Sequence, residues 1–566
     1  VAIAAVRASK GETKAAREAL RALAPRAHAA RNALLERAVL STTAHSFEKE
    51  NADSAMYYYD RLLAHLENEG EKIGGAELQT GYLSGKNRYY FEEVARYYAS
   101  QATAQPAAAA AWSSRAFTTM ERAKARGLLD LLRTSVSTRS TAEEDAALDA
   151  LYSLDPSQPD YADKRSILEK KYLDLRRARV DAAMAGMSPA RNVKSTASVA
   201  KLEDVAAVLP KKTVMFEFAL GDSSSLLWVI QRDRTEMHKL APRSVIEAEV
   251  HRLRDAIAKP GSGDAAMLKS ARELYRLLLE PGQERLDKAQ TIIVVPDGAL
   301  FELPFDALIR GDAVAGMPIT GQWFVARKWD TVYAPSATVY TRLRASARGQ
   351  KYARDLFAVG NPDFSGLARE GTDSLAPLPF AQKEVDAIAI RVKPDRRSML
   401  TGHAASEAAV KQELRTESPR VVHLATHGLV NATEPARSSV ALASGDGEDG
   451  FFHTLEIIST PTTSDLVVMS ACESARGRVS RGEGVVGLSR AFLGAGAESV
   501  VASLWSVSDE STAELMRVFY DRMFGKKEPA SRALREARIA LLDSEKFSHP
   551  FFWSPFVVTG TERSPW

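Results

Sequence analysis

Two short apolar segments in the second half of the chain, each followed by a reactive side chain, limit the possible folds most strongly. The first segment, Arg420–Ala425, leads to His427, and the second, Asp465–Met469, leads to Cys472. Runs of this length, rich in Val and Leu, are typical of strands buried on both faces of a parallel sheet. The pattern therefore predicts an α/β domain in which His427 and Cys472 follow two buried strands.

The two reactive side chains are predicted to share one cleft. Ligands of open α/β sheets bind beyond the carboxyl ends of the strands, where a thiol and an imidazole from neighbouring strands would meet. Cys472 would be the nucleophile, and His427 would exchange protons with it near neutral pH. The competing interpretation is that Cys472 is a buried structural thiol. Its place after a buried strand, with a His-Gly strand upstream, favours the nucleophile.

Composition excludes several kinds of site. Cys472 is the only cysteine, so an intrachain disulfide and a zinc site built on several thiolates are impossible. His423 precedes His427 by four residues, but no further ligand cluster accompanies them, and we predict neither a metal nor another cofactor. We expect His423 to pack beneath the site or to help orient it.

The bulk properties indicate a soluble chain of several domains. With 566 residues, two or three domains are expected. A net charge of +3 gives no reason to predict direct binding of nucleic acid or a membrane surface. No apolar stretch approaches the roughly 20 residues that span a bilayer. The chain begins at Val1 without a secretory signal, and we expect either a processed chain or the C-terminal portion of a longer protein.

The chain changes character along its length. Residues 1–135 predict helical hairpins. Within them, Arg7–Leu40 is Ala-, Leu-, Arg- and Glu-rich and predicts two helices that meet near Ala24-Pro25. Residues 136–190 predict a helical connector that opens with a cap at Thr141, and Met187–Ser198 predicts a linker. From residue 200, strand and helix patterns alternate, which indicates a mainly parallel sheet flanked by helices. Within it, Asn431–Ser464 contains the polar, Gly-rich stretch Ser444–Gly450, which predicts a loop that is inert at the surface, borders the substrate groove or acts as a flap.

Several motifs in a fixed order resemble the CHAT domain, a caspase-like family related to separase. The motifs are Ala358–Pro362, Leu400–Gly402, His427-Gly428, Ser470–Ser474, Gly482–Phe492, Ser503–Asp509 and His549–Phe556. The resemblance covers roughly Leu202 to the end of the chain. It implies a caspase-like region over residues 200–566, with a pseudo-caspase-like half at about 200–345 and a catalytic half at about 350–566.

The resemblance also implies a function. CHAT domains are caspase-like cysteine peptidases that are often joined to tetratricopeptide repeats, so residues 1–135 are expected to be such repeats and to bind a protein regulator. The implied reaction is endopeptidase cleavage of proteins at limited sites through a His427 and Cys472 dyad. The backbone N–H groups of Gly428 and Cys472 would stabilise the oxyanion, and no third triad member is expected. The implied setting is the bacterial cytoplasm, in defence or programmed cell death.

Three residues are candidates for the specificity pocket. By resemblance to separase-like sequences, Asp509 lies on the loop after the strand Ser499–Leu504, where a buried carboxylate in the S1 pocket would favour Arg or Lys at P1. Asp509 would equally suit the cap of a helix over Ser511–Phe524. Trp505 is a candidate pocket wall or a core anchor, and Asp465 is a weaker candidate for the acidic residue.

Two other functions compete with the peptidase. One is a catalytically silent caspase-like scaffold that acts by binding proteins, which the intact His427-Gly428 and Cys472 disfavour. The other is a nucleotide site at Gly482–Gly487, which lacks a P-loop Lys and does not directly follow a strand. The natural substrate, the activator, self-cleavage and the oligomeric state are left open by the sequence.

Overall fold

The architecture comes from a computed structural model that describes most of the chain. The described residues are 1–71, 87–124, 141–155, 157–185, 199–311, 317–345, 351–367, 375–417, 419–431, 437–470, 483–506 and 508–566. The chain divides into two compact units. The first comprises Val1–Asp130, Glu169–Asp174 and Ser195–Glu203, and the second comprises Leu131–Leu168, Leu175–Lys194 and Asp204–Trp566.

The N-terminal part of the chain is helical. Its helices are α1 (Ala2–Ser9), α2 (Thr13–Ala29), α3 (Ala33–Phe47), α4 (Ala52–Glu71), α5 (Arg88–Ala104) and α6 (Ala109–Lys124). Helices α2 and α3, α3 and α4, and α5 and α6 pack as neighbours. Leu20, Tyr59, Leu62 and Phe91 are buried, as expected for helices with one apolar face. The predicted helical N-terminal region is confirmed.

The predicted break at Pro25 is wrong. Pro25 lies inside α2, and the turn to α3 comes later, where Arg31 has a φ of 49°. A proline costs an internal helix at least one hydrogen bond. Here the buried face formed by Ala16, Leu20 and Ala27 continues across it, so packing outweighs the local preference.

Two helices form the connecting region, α7 (Ala142–Tyr152) and α8 (Tyr161–Ala185). The Thr141 hydroxyl accepts a hydrogen bond from the Glu144 N–H at 3.2 Å, so the predicted cap is confirmed. Arg179 pairs with the buried Glu144 at 2.7 Å and ties the two helices together. The predicted linker Met187–Ser198 lies outside the described residues.

The rest of the chain alternates strands and helices. The helices are α9 (Leu202–Val208), α10 (Arg243–Ile257), α11 (Asp264–Leu278), α12 (Gln283–Asp287), α13 (Ala337–Ala345), α14 (Pro379–Ala389), α15 (Glu407–Thr416), α16 (Thr454–Ser459), α17 (Glu483–Ala495), α18 (Asp509–Tyr520), α19 (Ala530–Leu542) and α20 (Pro550–Trp553). The strands are β1 (Thr213–Ala219), β2 (Ser225–Ile230), β3 (Thr235–Leu240), β4 (Thr291–Val295), β5 (Asp330–Tyr333), β6 (Arg354–Pro362), β7 (Arg397–Gly402), β8 (Pro419–Ala425), β9 (Gly428–Leu429), β10 (Ser439–Ala441), β11 (Phe451–His453), β12 (Leu466–Met469), β13 (Ser499–Ser503) and β14 (Phe556–Thr559).

Eleven of these strands form one sheet, in the order β3-β2-β1-β4-β5-β14-β13-β12-β8-β6-β7. Its strand pairs are parallel except for β1 with β2, β2 with β3, and β13 with β14. Helices flank the sheet, and the interior strands are buried along almost their whole length. Burial on both faces explains why these strands read as continuous apolar runs. The predicted mainly parallel α/β fold with flanking helices is confirmed.

Helices α10 and α11 are separated by a turn in which Gly261 has a φ of 84°. One predicted helix differs from the structure. The helix expected over Ser511–Phe524 begins two residues earlier, and its last turn, Asp521–Gly525, is a π-helix.

The stretch Asn431–Ser464 is largely folded, so the expectation of a surface loop is wrong for most of it. Its described residues include β10, β11 and α16, and β9, β10 and β11 form a second, antiparallel sheet. Val440, Phe452 and Ile457 are fully buried. This small sheet begins at Gly428, immediately after His427.

Within the described ranges, no helix combines the length and the apolar character that crossing a bilayer requires.

Candidate active site

The candidate site lies where three parallel strands end. Strand β8 is flanked by β12 on one side and β6 on the other, and it pairs Leu424 with Met469 and Ala425 with Gly360. Because parallel strands end at the same edge, the residues that follow them are brought together. His427 lies two residues beyond β8 at this edge.

One nitrogen of the His427 ring has a defined partner. Nε2 lies 2.8 Å from the carbonyl oxygen of Ala376. A carbonyl only accepts hydrogen bonds, so Nε2 carries the proton and Nδ1 of the neutral ring has a free lone pair. The Phe364 ring packs against the imidazole with centroids 5.0 Å apart, and His427 is only 9% exposed. The ring is therefore held from two sides, and among the described residues no hydrogen bond engages Nδ1.

The Ala376 carbonyl is the orienting group that sequence reasoning missed. A main-chain oxygen has no residue signature, and no third member of the site was predicted. The carbonyl belongs to the short segment before α14, in which the Leu378 N–H donates to the Asn361 Oδ1 at 2.6 Å. Asn361 is the penultimate residue of β6, within the motif Ala358–Pro362. That motif was the only sequence signal near this contact.

Gly428 is oriented by the second sheet. The Ala441 N–H donates to the His427 carbonyl at 2.9 Å, and Gly428 faces Val440 across the antiparallel pair. Hydrogen-bonded and non-hydrogen-bonded pairs alternate along such a ladder. Since His427 and Ala441 form a hydrogen-bonded pair, the Gly428 N–H points away from β10. This geometry suits a donor to a substrate oxyanion.

Cys472 lies outside the described residues. The described chain continues one residue past β12, to Ser470, and Cys472 follows two residues later. The strand that leads to Cys472 is thus the immediate neighbour of the strand that leads to His427. The dyad itself stays a prediction.

Comparison with known sequences places the chain in a family. The profile of the CHAT domain matches residues 268–561, just over half of the chain. The chain belongs to the CHAT domain family. The motifs that carried the predicted resemblance between Ala358 and Phe556 all lie within the matched residues.

Related sequences and structures add context. Tetratricopeptide repeat protein 28 of Mus musculus is 38% identical over 97 residues, 17% of this chain and 4% of that protein. Its Homo sapiens counterpart is 25% identical over 334 residues, 51% of this chain and 13% of that protein. The chain therefore spans only a small part of these relatives.

Two solved structures are similar to this chain. A chain of the Saccharomyces cerevisiae separase–securin complex has a TM-score of 0.47 at 10% identity, and the match covers 89% of this chain and 38% of that one. The Arg-specific cysteine proteinase gingipain R has a TM-score of 0.32 at 10% identity, and the match covers 56% of this chain and 73% of that one.

His423 packs beneath the site of the CHAT domain. It is fully buried on β8, with Nδ1 2.9 Å from the Tyr520 hydroxyl and Nε2 3.1 Å from the Glu384 carboxylate. Burial raises the pKa of Tyr520 well above its usual value, so its hydroxyl stays protonated. His423 thereby joins β8 to α14 and α18.

The specificity candidates occupy different places. Asp509 is exposed at the first residue of α18, on the strand-end edge of the sheet, and not buried as expected. The helix cap is Ser508, whose hydroxyl accepts from the Ser511 N–H, so the predicted cap at Asp509 is one residue off. Trp505 donates from Nε1 to the Phe551 carbonyl at 3.2 Å and packs against the main core, as a core anchor would.

Asp465 does not belong to this edge. It precedes β12, its N–H donates to the Arg420 carbonyl at 3.0 Å, and its carboxylate accepts from the Tyr352 hydroxyl at 2.6 Å. The whole of β12 separates it from the end at which His427 lies. The sequence pattern placed Asp465 in the segment that leads to Cys472 but did not show that it lies at the opposite end of the strand. We therefore do not propose Asp465 as a pocket residue.

A cluster of three carboxylates lies beside the second sheet. The Lys411 ammonium is 2.8 Å from each of Glu407, Glu448 and Glu456. Among the described residues these carboxylates form a group close enough to hold a metal ion, but the ammonium already contacts all three. Burial raises the pKa of Glu407, and it raises the pKa of Glu456 to about 8. The cluster fixes the Gly-rich turn around Glu448 to α15 and α16.

Proposed function

We propose that this chain is a cysteine endopeptidase that cleaves protein substrates at a limited number of sites, with Cys472 as nucleophile and His427 as its proton-exchange partner. The observation that carries the proposal is the oriented imidazole of His427. Its Nε2–H is engaged by the Ala376 carbonyl, and the strand beside it leads to the only cysteine of the chain.

The proposed reaction uses each group at a stated atom. The Cys472 thiol gives its proton to Nδ1 of His427, and the thiolate attacks the scissile carbonyl to form an S–C bond. The imidazolium returns that proton to the leaving amine as the C–N bond breaks. Water, deprotonated by Nδ1, then hydrolyses the thioester and regenerates the thiol. The Ala376 carbonyl stabilises the imidazolium because it accepts from Nε2–H.

The oxyanion of each tetrahedral intermediate needs donors that are already oriented. The Gly428 N–H points away from its own sheet and is therefore available, and the Cys472 N–H is proposed as the second donor. A glycine at this position also lets the scissile peptide approach the backbone closely.

The helical N-terminal region is proposed to bind a protein regulator that controls access to the site. Support comes from its helical hairpins and from relatives that are named as tetratricopeptide repeat proteins. A setting in bacterial defence or programmed cell death, in the cytoplasm, belongs to the same proposal and follows from the resemblance alone.

The test is cleavage of a peptide library by the full chain and by Cys472→Ala. Cleavage that the variant loses supports the peptidase. If the wild type cleaves nothing, an acyloxymethyl ketone probe decides. Labelling of Cys472 that His427→Ala abolishes supports an enzyme that awaits its activator. Absence of both cleavage and labelling would overturn the proposal in favour of a silent scaffold.

We propose Asp509 as the residue that favours Arg or Lys at P1. Its support is its position after β13, the strand next to β12 at the same edge. Asp509→Asn should lower kcat/KM for Arg at P1 by about tenfold and leave the cleavage of substrates with hydrophobic P1 residues unaffected. The effect is limited to this size because the ion pair between Asp509 and the P1 Arg would be partly exposed to solvent. Glu510→Gln is the matched control, since the Glu510 carboxylate already pairs with Lys546 at 2.5 Å. Equal effects of the two variants would contradict the assignment.

A further inference from the structure

The segment that carries the Ala376 carbonyl is hydrogen-bonded to Asn361 of β6. We propose that Asn361 is a positioning residue for His427, acting through the segment that carries this carbonyl. The Asn361 Oδ1 accepts from the Leu378 N–H at 2.6 Å, and two residues earlier the Ala376 carbonyl lies 2.8 Å from Nε2 of His427. The kinetic consequence rests on the proposed peptidase function, whereas the contact itself does not.

The Leu378 N–H is a natural point of attachment for this segment. Pro377 has no N–H, so Leu378 provides the first donor after Ala376. A residue before proline is also restricted to extended conformations, which limits how Ala376 can turn. With the Leu378 N–H fixed, a stiff dipeptide connects the anchor to the carbonyl.

Asn361 is suited to its position by its backbone as well as its side chain. Its φ is 47°, a left-handed conformation that Asn, Asp and Gly tolerate better than other residues. The pairing of β6 with β7 shifts register between Gly360 and Pro362, so Asn361 lies in an irregular strand end. This turn directs the amide away from the ladder and towards Leu378.

The neighbouring glycine brings the anchored helix close. A Cβ at Gly360 would lie 2.8 Å from the Val385 Cγ2 and 3.1 Å from the Ala381 carbonyl oxygen, both on α14. Contacts this short are not tolerated, so only glycine allows α14 to pack here. Gly360 sets the distance of the helix from β6, and Asn361 fixes the segment that leads into it.

The consequence concerns the orientation and charge of the His427 ring. A fixed carbonyl holds the Nε2–H, keeps the imidazole in one orientation and stabilises the imidazolium. Without the anchor, the carbonyl can move away and the ring can rotate. The thiolate of Cys472 would then lose part of its stabilisation by the imidazolium.

The experiment compares Asn361→Gly with Asn361→Asp in the full chain. Glycine keeps the left-handed backbone and removes the acceptor, whereas aspartate keeps both. Lys212→Gly is the matched control because Lys212 is an exposed residue with a φ of 61°. The readouts are the imidazole Nε2–H signal of His427 in 15N NMR, assigned with His427→Gln, and the pH dependence of Cys472 alkylation by iodoacetamide.

We expect Asn361→Gly to lose the protected Nε2–H signal and to raise the pH of half-maximal alkylation by about 0.5 to 1 unit. Where peptide cleavage is measurable, kcat should fall about 10- to 100-fold with KM nearly unchanged. Asn361→Asp should keep the signal and stay within about threefold of the wild type, and Lys212→Gly should change nothing.

Two results would overturn the inference. One is an unchanged Nε2–H signal in Asn361→Gly, and the other is equal damage by glycine and aspartate, which would indicate a merely structural role. A wild type that neither cleaves nor is labelled would remove the proposed function but not this contact. The Nε2–H signal would still decide whether Asn361 positions His427.

Discussion

The eleven-stranded sheet has a first half, formed by β1 to β5, and a second half, formed by β6, β7, β8, β12, β13 and β14. The polar residues at the strand ends have different partners in the two halves. In the first half, Asp297 follows β4, is 2% exposed and accepts from the Leu220 N–H at 2.7 Å. At the end of β5, the Tyr333 hydroxyl donates to the Leu303 carbonyl and accepts from the Phe305 N–H. These polar groups bind the chain's own backbone. In the second half, the contact that the described residues make with the His427 ring nitrogens is at Nε2 alone.

The contrast shows that a polar side chain at the end of a buried strand does not by itself indicate chemistry. Asp297 and Tyr333 satisfy backbone groups that would otherwise be buried without partners, so their role is stability. His427 has one nitrogen oriented and the other left with a lone pair, which is the arrangement that proton exchange needs. Among the described residues, this unused hydrogen-bonding capacity at Nδ1 distinguishes His427 from Asp297 and Tyr333.

The largest expected effect tests this contrast directly. His427→Ala should lower kcat by about 10⁴-fold or more, because the thiol loses its proton acceptor and the leaving amine loses its donor. Its free energy of unfolding should fall by only about 1 kcal/mol, the value of one hydrogen bond. Peptide cleavage and urea unfolding of the same samples measure the two quantities.

Asp297→Ala is the counterpart in the first half and should behave in the opposite way. It leaves the buried Leu220 N–H without its partner, which costs about 1 to 3 kcal/mol of stability. Cleavage per folded molecule should stay at the wild-type rate. A fall in kcat without a loss of stability would contradict the structural role assigned to the first half.

The second expected effect concerns the carboxylate cluster beside the active half. Lys411→Met leaves Glu407, Glu448 and Glu456 without their cation and should destabilise the fold by about 3 to 5 kcal/mol. Lys383→Met, at an exposed lysine on α14, is the matched control and should change stability by less than about 0.5 kcal/mol. Comparable losses in the two variants would show that the cluster contributes little.

Much of the fold was predictable because buried parallel strands leave a local signature. The runs around Val422, Val467 and Ile293 each read as strands, and the placement of the His427 and Cys472 segments on neighbouring strands followed from the general rule for α/β sheets. The Thr141 cap was equally local. Strands β3 and β7 carry no such signature, because each is an outermost strand of the sheet with mostly partly exposed residues.

The structural features that the sequence did not predict depend on residues that are distant along the chain. The turn around Glu448 reads as flexible and polar, yet Lys411 and the Glu407 carboxylate, which accepts from the Gly450 N–H at 2.9 Å, hold it in place. In the site, His427 was predicted but the Ala376 carbonyl was not, since 51 residues separate them and a main-chain atom gives no pattern. Local patterns identified the reactive side chain, and only the folded chain showed what orients it.

The last expected effect is a pH dependence of stability that belongs to the second half. Burial raises the pKa of Glu456 to about 8 and also raises that of Glu407. The unfolded chain releases these protons near pH 4.3, so between about pH 4.5 and 8 the folded state binds more protons than the unfolded state. Stability should therefore fall as the pH rises through this window, by at most about 1.4 kcal/mol per pH unit for each proton.

Urea unfolding at several pH values, followed by tryptophan fluorescence, measures this slope in the unit that contains the cluster. Trp112 is the single tryptophan among the seven that lies in the first unit, so the signal reports mainly on the second. Glu456→Gln removes one titrating group and should make the slope shallower, whereas Asp297→Ala should lower stability equally at every pH. If Glu456→Gln leaves the pH dependence of the free energy of unfolding unchanged, groups other than Glu456 bind the protons. The two halves would then differ in their chemistry but not in how their buried charges respond to pH.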